Sequence, residues 1–189
     1  MLFNLNTAVS LLALGAFASA ATLEHKRDAA TGTSLYAYGT NVSGINVFYG
    51  DGLAYTGTTI PDWINVASNV TFNFDSTDTK VPWTITSNTS TAITGSQLYV
   101  IPTSGKFQQV GFVASNGTAP TGAATSGFTW FGTMLAYSES SSNMEMKFWA
   151  SPTNTSGVWA LMWNADGTTD GTSVPVVLKR TPPTVLTRT

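Results

Sequence analysis

An all-β fold, a two-sheet sandwich or jelly roll of about a dozen short antiparallel strands, is what this sequence predicts. Three observations carry that reading. Short runs rich in Val, Ile, Thr, Tyr, Phe and Trp recur along the chain. Clusters of Gly, Asp, Asn and Ser, the residues that favour turns, stand between them. After the first apolar segment, no window keeps an apolar stripe at the helical period of ~3.6 residues.

In chain order, the first strand-like runs are Ser34 to Tyr38, Ile45 to Tyr49 and Leu53 to Thr56, with Gly50-Asp51-Gly52 as a hairpin turn between the last two. Val70 to Phe74 follows, and strict alternation sends Phe72 and Phe74 to one face and Thr71 and Asn73 to the other. Asp75 to Asp78 marks a turn before Trp83 to Thr86, then come Gln97 to Ile101, the turn Thr103 to Gly105, and Phe107 to Val113. Asn116-Gly117 breaks the pattern ahead of Gly127 to Phe131 and Met134 to Tyr137. Ser140 to Asn143 is the next turn, followed by Met144 to Ala150, where the neighbours Phe148 and Trp149 must point to opposite faces. Val158 to Trp163 is apolar on both faces, the mark of a central strand; Trp159, Leu161 and Trp163 share one of them. Asp166 to Gly171 is a long turn, and Val174 to Leu178 closes the series. Tyr49 to Tyr55 also echoes Phe131 to Tyr137, each an aromatic-Gly turn before Leu-Ala-Tyr. The echo does not persist beyond these hairpins, so repetition of strand composition by chance is preferred to a duplication.

The chain ends are read separately. Met1 to Ala20 holds an apolar stretch from Ala8 to Phe17 and then the small-x-small signal Ala18-Ser19-Ala20, which predicts a signal peptide cleaved after Ala20. The stretch is shorter than the ~20 apolar residues that span a bilayer. Residues 21–27 read as a pro-segment ending in the dibasic pair Lys26-Arg27, the kind of site that Golgi proteases cut. Residues 28–181 are then one β domain, and residues 182–189 a flexible tail without the hydrophobic stretch of a lipid-anchor signal.

Maturation at Arg27 removes the one His of the sequence, His25, and there is no Cys. A secreted route permits disulfides, yet there is no Cys, so stability must here come from packing, for which six Trp, six Tyr and eight of the ten Phe are available. The formal charge of −2 comes from only 8 Lys and Arg against 10 Asp and Glu. With no basic patch, nucleic acid is excluded as a partner, as is a membrane surface once the signal is gone. Five sequons, at Asn41, Asn69, Asn88, Asn116 and Asn154, predict N-linked glycans that would hydrate a surface poor in charge.

Catalysis is read by elimination. Without His or Cys in the mature chain there is no His-activated nucleophile and no ordinary zinc site, and the expectation is a protein with no cofactor, no metal and no catalytic residue. Its two Glu, Glu139 and Glu145, flank a Ser-rich turn and read as solubilisers of a hairpin; no two carboxylates stand at i and i+2 as on a strand of a sandwich glycosidase. Asp166 with Asp170, and Asp75 with Asp78, supply too few oxygens for calcium, and turn chemistry accounts for both clusters. The residues in excess are aromatic and hydroxylic, which suits sugar: a ring stacks its C–H face on an indole while Asn and Ser bind its hydroxyls. Trp63, Trp83 and Trp149, each near turn residues, are the candidate platforms, against the general preference of strand aromatics for the core.

Ser34 to Gly44, Val47 to Gly57, Gly111 to Ser115, and Phe148-Trp149-Ala150 with Gly157 to Asn164 resemble a family of small secreted proteins of filamentous fungi, some labelled as elicitors of the plant hypersensitive response. The resemblance runs from about Thr33 to Leu178 and brings no catalytic residue with it. Taken with the lack of catalytic residues and the surplus of aromatic and hydroxylic ones, the expectation is a non-enzymatic glycoprotein of the fungal wall or extracellular matrix whose partner is wall polysaccharide. The alternatives are an elicitor whose partner is a host-plant surface component, and a glycoside hydrolase with an atypical carboxylate pair. N-terminal sequencing of the secreted protein tests the processing: a start at Asp28 is expected, and a start at Ala21 means the dibasic pair is left intact.

Overall fold

The computed structural model describes residues 30–140 and 143–184; Ala20, Lys26 and Arg27, with the signal and pro-segment, lie outside them. The described residues are almost wholly antiparallel β, in a sandwich-like arrangement, with one short 3-10 turn among them at Thr91–Ile93. Among the described residues fifteen strands form one hydrogen-bonded network.

Two of them are its spine: β3 (Val42–Gly50) and β4 (Leu53–Gly57) form a hairpin in which Gly50 faces Leu53. The two-residue turn needs a left-handed backbone at both positions, and Asp51 (φ 47°) and Gly52 (φ 87°) supply it. Asp51 also accepts the backbone N–H groups of Asn65 (2.9 Å) and Val66 (2.8 Å), which ties the turn to the following loop. β3 is long enough to take β2 (Tyr36–Gly39) along its first half and β5 (Ala67–Phe74) along its second. β4 likewise takes β9 (Gly111–Val113) at Leu53 and β14 (Val158–Asn164) from Tyr55 to Gly57.

The sheet therefore closes on itself twice. From β5 the pairing runs through β6 (Thr84–Ser87) and β7 (Gln97–Tyr99) to β9 and back to β4. From β2 it runs through β15 (Val174–Lys179) and β13 (Phe148–Pro152) to β14 and again to β4. β1 (Ala30–Thr33) lies along β5, and β8 (Phe107–Gln109) along β14. A third layer, β10 (Phe128–Phe131), β11 (Met134–Ser140) and β12 (Asn143–Glu145), joins through Met134 beside Lys179 of β15.

Each of the runs seen in the sequence becomes a strand, and three differences raise the count. Phe107 to Val113 is split at Val110, whose N–H turns to Leu161 while its carbonyl accepts Ala54, so one run serves as both β8 and β9. Met144 to Ala150 is split where the chain leaves the β11 hairpin for β13. β1, with the sequence Ala-Thr-Gly-Thr, has no apolar pattern and is recruited by β5 through its backbone. The echo at Tyr49 and Phe131 dissolves: the turn residues are 51–52 in one hairpin and 132–133 in the other, one place out of step with the sequence match. A one-residue slip reverses the faces.

Most buried apolar side chains form one cluster, with a smaller one of Phe48, Tyr55, Ile64 and Val158. Through the larger runs a chain of touching aromatics. Phe74 stacks on Trp83 at 4.7 Å, Trp83 meets Phe128 (6.1 Å) and Trp130 (5.0 Å), Phe128 meets Tyr137 (5.9 Å), and Tyr137 leads through Trp163 (5.6 Å) to Phe148 (5.0 Å). The start of the expected tail is held down: Tyr38 donates its hydroxyl to the Thr181 carbonyl (2.8 Å), and Pro183 sits where a Cβ on Gly44 would lie 2.6 Å from it.

The acidic turns hold themselves by local hydrogen bonds. Asp170 accepts the Ser173 hydroxyl (2.6 Å) and the Ser173 (2.7 Å) and Thr172 (2.9 Å) N–H groups. These bonds, the Ser173 hydroxyl foremost, stabilise the carboxylate and hold its pKa down to about 2. Asp75, bonded first by the Thr77 hydroxyl, and Asp51, bonded first by the Asn65 N–H, are lowered as well. A depressed carboxyl contributes stability above the unfolded-state value of ~3.9, and that contribution fades as pH falls toward the folded value. Asp170→Asn should therefore melt below the wild type at neutral pH, with the gap closing between about pH 4 and pH 2. Thermal melts of both proteins across that window check it; a gap that stays constant removes the assignment.

Candidate functional site

A cleft of about 510 Å³ opens where the third layer meets the first circuit. Thr79 and Lys80 of the β5–β6 loop form one wall and Ala124, Ser126 and Gly127 the approach to β10; Thr129, Tyr137, Ser138, Glu139, Ser140 and Met144 complete it. The junction is sewn by backbone: the Gly127 N–H donates to Thr79 (2.6 Å), and the Ser138 N–H donates to Gly127 (2.8 Å). A side chain at Gly127, whose φ is 92°, would bring its Cβ to 2.8 Å from the Ser138 carbonyl oxygen, so the close approach of β11 requires glycine there.

Five Ser and Thr hydroxyls line it, from Thr79, Ser126, Thr129, Ser138 and Ser140, with one cation, Lys80, and one anion, Glu139. The Ser138 hydroxyl is engaged with the Ser140 carbonyl. Burial, and then the nearby Glu139 and Glu145 carboxylates, raise the Tyr137 pKa, so this phenol remains protonated through neutral pH. The open surface is thus uncharged in sum and able both to donate and to accept hydrogen bonds.

Glu145 is the cross-strand partner of Tyr137, and Glu139 lies two residues along β11 from it, so the hairpin places both Glu near enough for their charges to be felt at the Tyr137 phenol. A search for carboxylates at i and i+2 does not find a pair made across strands; the Ser140 to Asn143 turn between them was the available signal. Glu145 has a structural partner, Lys147, at 2.9 Å, and Lys147 also donates to the Ala165 carbonyl (2.7 Å). Glu139 is exposed at the rim.

The three candidate indoles have three different fates. Trp83 is 1% exposed, walled in by Phe74, Phe128 and Trp130, and so offers no face to a sugar. The neighbouring Pro82 suggested a turn, but the side chain points inward as the first residue of an inward-facing alternation with Ile85. Trp149 is half-buried with its ring edge against Phe107 at 5.9 Å. Trp63 is exposed, standing edge-on to Tyr55 at 5.6 Å and donating its indole N–H to the Thr155 hydroxyl at 2.9 Å. None of the three lines the cleft.

All five sequon asparagines are exposed. Asn41 is in the left-handed conformation (φ 62°) of the β2–β3 turn, and Asn116 and Asn154 are in loops. Asn69 and Asn88 share a second groove of about 210 Å³ and are linked through Ser68, whose hydroxyl donates to the Asn88 side-chain carbonyl (3.1 Å). Among the described residues no three His, Cys, Asp or Glu gather as a metal site. The Asp166 carboxylate is taken by the Ser104 hydroxyl and the Gly105 N–H.

No family model matches this chain, and neither a curated protein nor a solved structure is similar to it. The roles of the indoles then rest on burial, and stability separates them. Trp83→Ala removes the centre of the aromatic chain and is expected to cost ~3–5 kcal/mol in chemical denaturation. Trp83→Phe costs less, because the indole N–H it removes has no protein acceptor among the described residues. An alanine variant as stable as the wild type would show that the ring is not packed.

Proposed function

We propose that this is a secreted, N-glycosylated, non-enzymatic protein of a fungal wall or extracellular matrix, and that its cleft binds neutral polysaccharide. The observation that supports it best is the lining: five Ser and Thr hydroxyls beside apolar surface, one charge of each sign, and a protonated phenol. Such a surface matches a chain of hydroxyls and has nothing to offer a polyanion. The five exposed sequons support passage through the secretory route, and the resemblance to small secreted fungal proteins supports the wall as the setting.

A glycoside hydrolase is the second reading, favoured by the placement of Glu139 and Glu145 on the paired strands that flank Tyr137. Two positioned carboxyls can share acid and nucleophile or base roles on a glycosidic bond. Against it stands the commitment of Glu145 to Lys147. Non-enzymatic binding uses the same cleft without needing either Glu.

Sedimentation with insoluble β-glucan, chitin and cellulose tests the proposal. The wild type should be retained on at least one polymer and stay bound up to about 1 M salt, where charge interactions are screened within ~3 Å. Thr129→Arg, which fills the cleft from β10, should abolish retention. Loss of neither retention nor specificity in that variant, or no retention of the wild type at all, ends the reading. Release of soluble sugar by the wild type but not by Glu139→Gln moves the assignment to hydrolysis.

A further inference from the structure

The loop between β4 and β5 exposes three apolar side chains as a small patch, Ile60 (45% exposed), Trp63 (41%) and Val66 (47%), of which Trp63 stands against Tyr55 of the small buried cluster. An apolar side chain exposed in this way is one that a covering group would shield from water. The indole N–H of Trp63 donates to Thr155, and Thr155 is the middle residue of the Asn154-Thr155-Ser156 sequon. We infer that the cover is the protein's own glycan: the first N-acetylglucosamine on Asn154 lies over the open face of Trp63 and shields the patch. This rests on the secreted, N-glycosylated reading above.

Geometry and chemistry both favour this occupant. The Thr155 N–H donates to the Thr153 hydroxyl (3.2 Å), which itself donates to the Val158 carbonyl (2.8 Å), while the Val158 N–H donates to the Thr155 carbonyl and closes the same turn (3.1 Å). Asn154 is therefore presented from a braced loop, and the Thr155 bond together with the Tyr55 edge contact fixes the indole beside it. A sugar attached there is tethered within reach, so its local concentration is set by one short linkage and not by the medium. Its apolar C–H face meets the electron-rich indole face. The hydroxyl edge then faces water, which suits a patch whose charged neighbour is the exposed Asp62 alone in that loop. Trp63 becomes an internal receptor for the glycan, unavailable to external polysaccharide.

The test uses the protein secreted by a glycosylating fungal host, with sequon occupancy read by mass spectrometry of glycopeptides. Asn154→Gln should raise quenching of tryptophan fluorescence by acrylamide, since Trp63 is the most accessible indole, and should lower Tm by roughly 2–4 °C. Trimming every glycan to its first sugar should change neither reading. In a Trp63→Ala background, Asn154→Gln should leave Tm unchanged, because the two partners act as one unit. If Trp63→Ala fails to fold, quenching of wild type against Asn154→Gln decides alone. Glycan on no sequon overturns the secretory reading and this proposal together. Glycan elsewhere but not on Asn154, or an occupied Asn154 whose loss alters neither quenching nor Tm, overturns this proposal and leaves the secretory reading standing.

Discussion

The hairpin of β3 and β4 is the constraint on which the rest depends, because both circuits of hydrogen bonds pass through it. Each of its strands offers an outer edge to two different partners in succession, β2 and β5 on one side, β9 and β14 on the other. An edge shared in this way is never left open to a foreign strand along its length. The register of both circuits is set by one two-residue turn, and that turn is fixed twice, by its left-handed backbone and by the Asp51 carboxylate on the Asn65 and Val66 N–H groups. A slip there would turn Phe48 and Tyr55 out of the smaller cluster, since alternation reverses with each residue.

Closure of the backbone and continuity of the aromatics together explain how the chain manages without disulfides. The run from Phe74 through Trp83, Phe128, Tyr137 and Trp163 to Phe148 links β5, the start of β6, the third layer, β14 and β13. Its members meet mostly edge-to-face or tilted, geometries that add ~0.5–1.5 kcal/mol per pair beyond burial. Phe128 and Tyr137 are cross-strand partners, so the β10–β11 hairpin docks through the same side chains that continue the chain. That docking also makes the cleft: β11 must come close to Gly127 to bury Tyr137, and the polar ends of the same strands are left facing Thr79 and Lys80.

Several readings of the sequence needed the fold to correct them, each for a definable reason. Trp83 and Trp63 both follow turn-forming residues, yet one is enclosed and the other exposed, because alternation from Ile85 directs the first inward and the β4–β5 loop carries the second away from any sheet. Trp149 fell between, as one of two adjacent aromatics that a strand must send to opposite faces. The cleft was invisible because its residues come from four segments and include five Ser and Thr, which at those positions look like any turn. The placement of Glu145 opposite Tyr137, two residues from Glu139, was hidden for the same reason: linear spacing measures neighbours along a strand, and this pairing is made across two.

What the amino-acid sequence determined on its own was the local part: strands by alternation, their breaks by turn residues, the inward face of Phe72 and Phe74, the interior place of Val158 to Trp163, and an all-β sandwich-like whole. These follow from periodicity, which a single strand already expresses. The tertiary structure alone decided which edges pair, that β1 joins without any apolar pattern, that Val110 divides one run between two neighbours, and that Trp63 meets the Asn154 sequon ninety-two positions away. Pairing of distant edges depends on backbone hydrogen bonds that every residue type can make, and so leaves little trace in the order of the side chains.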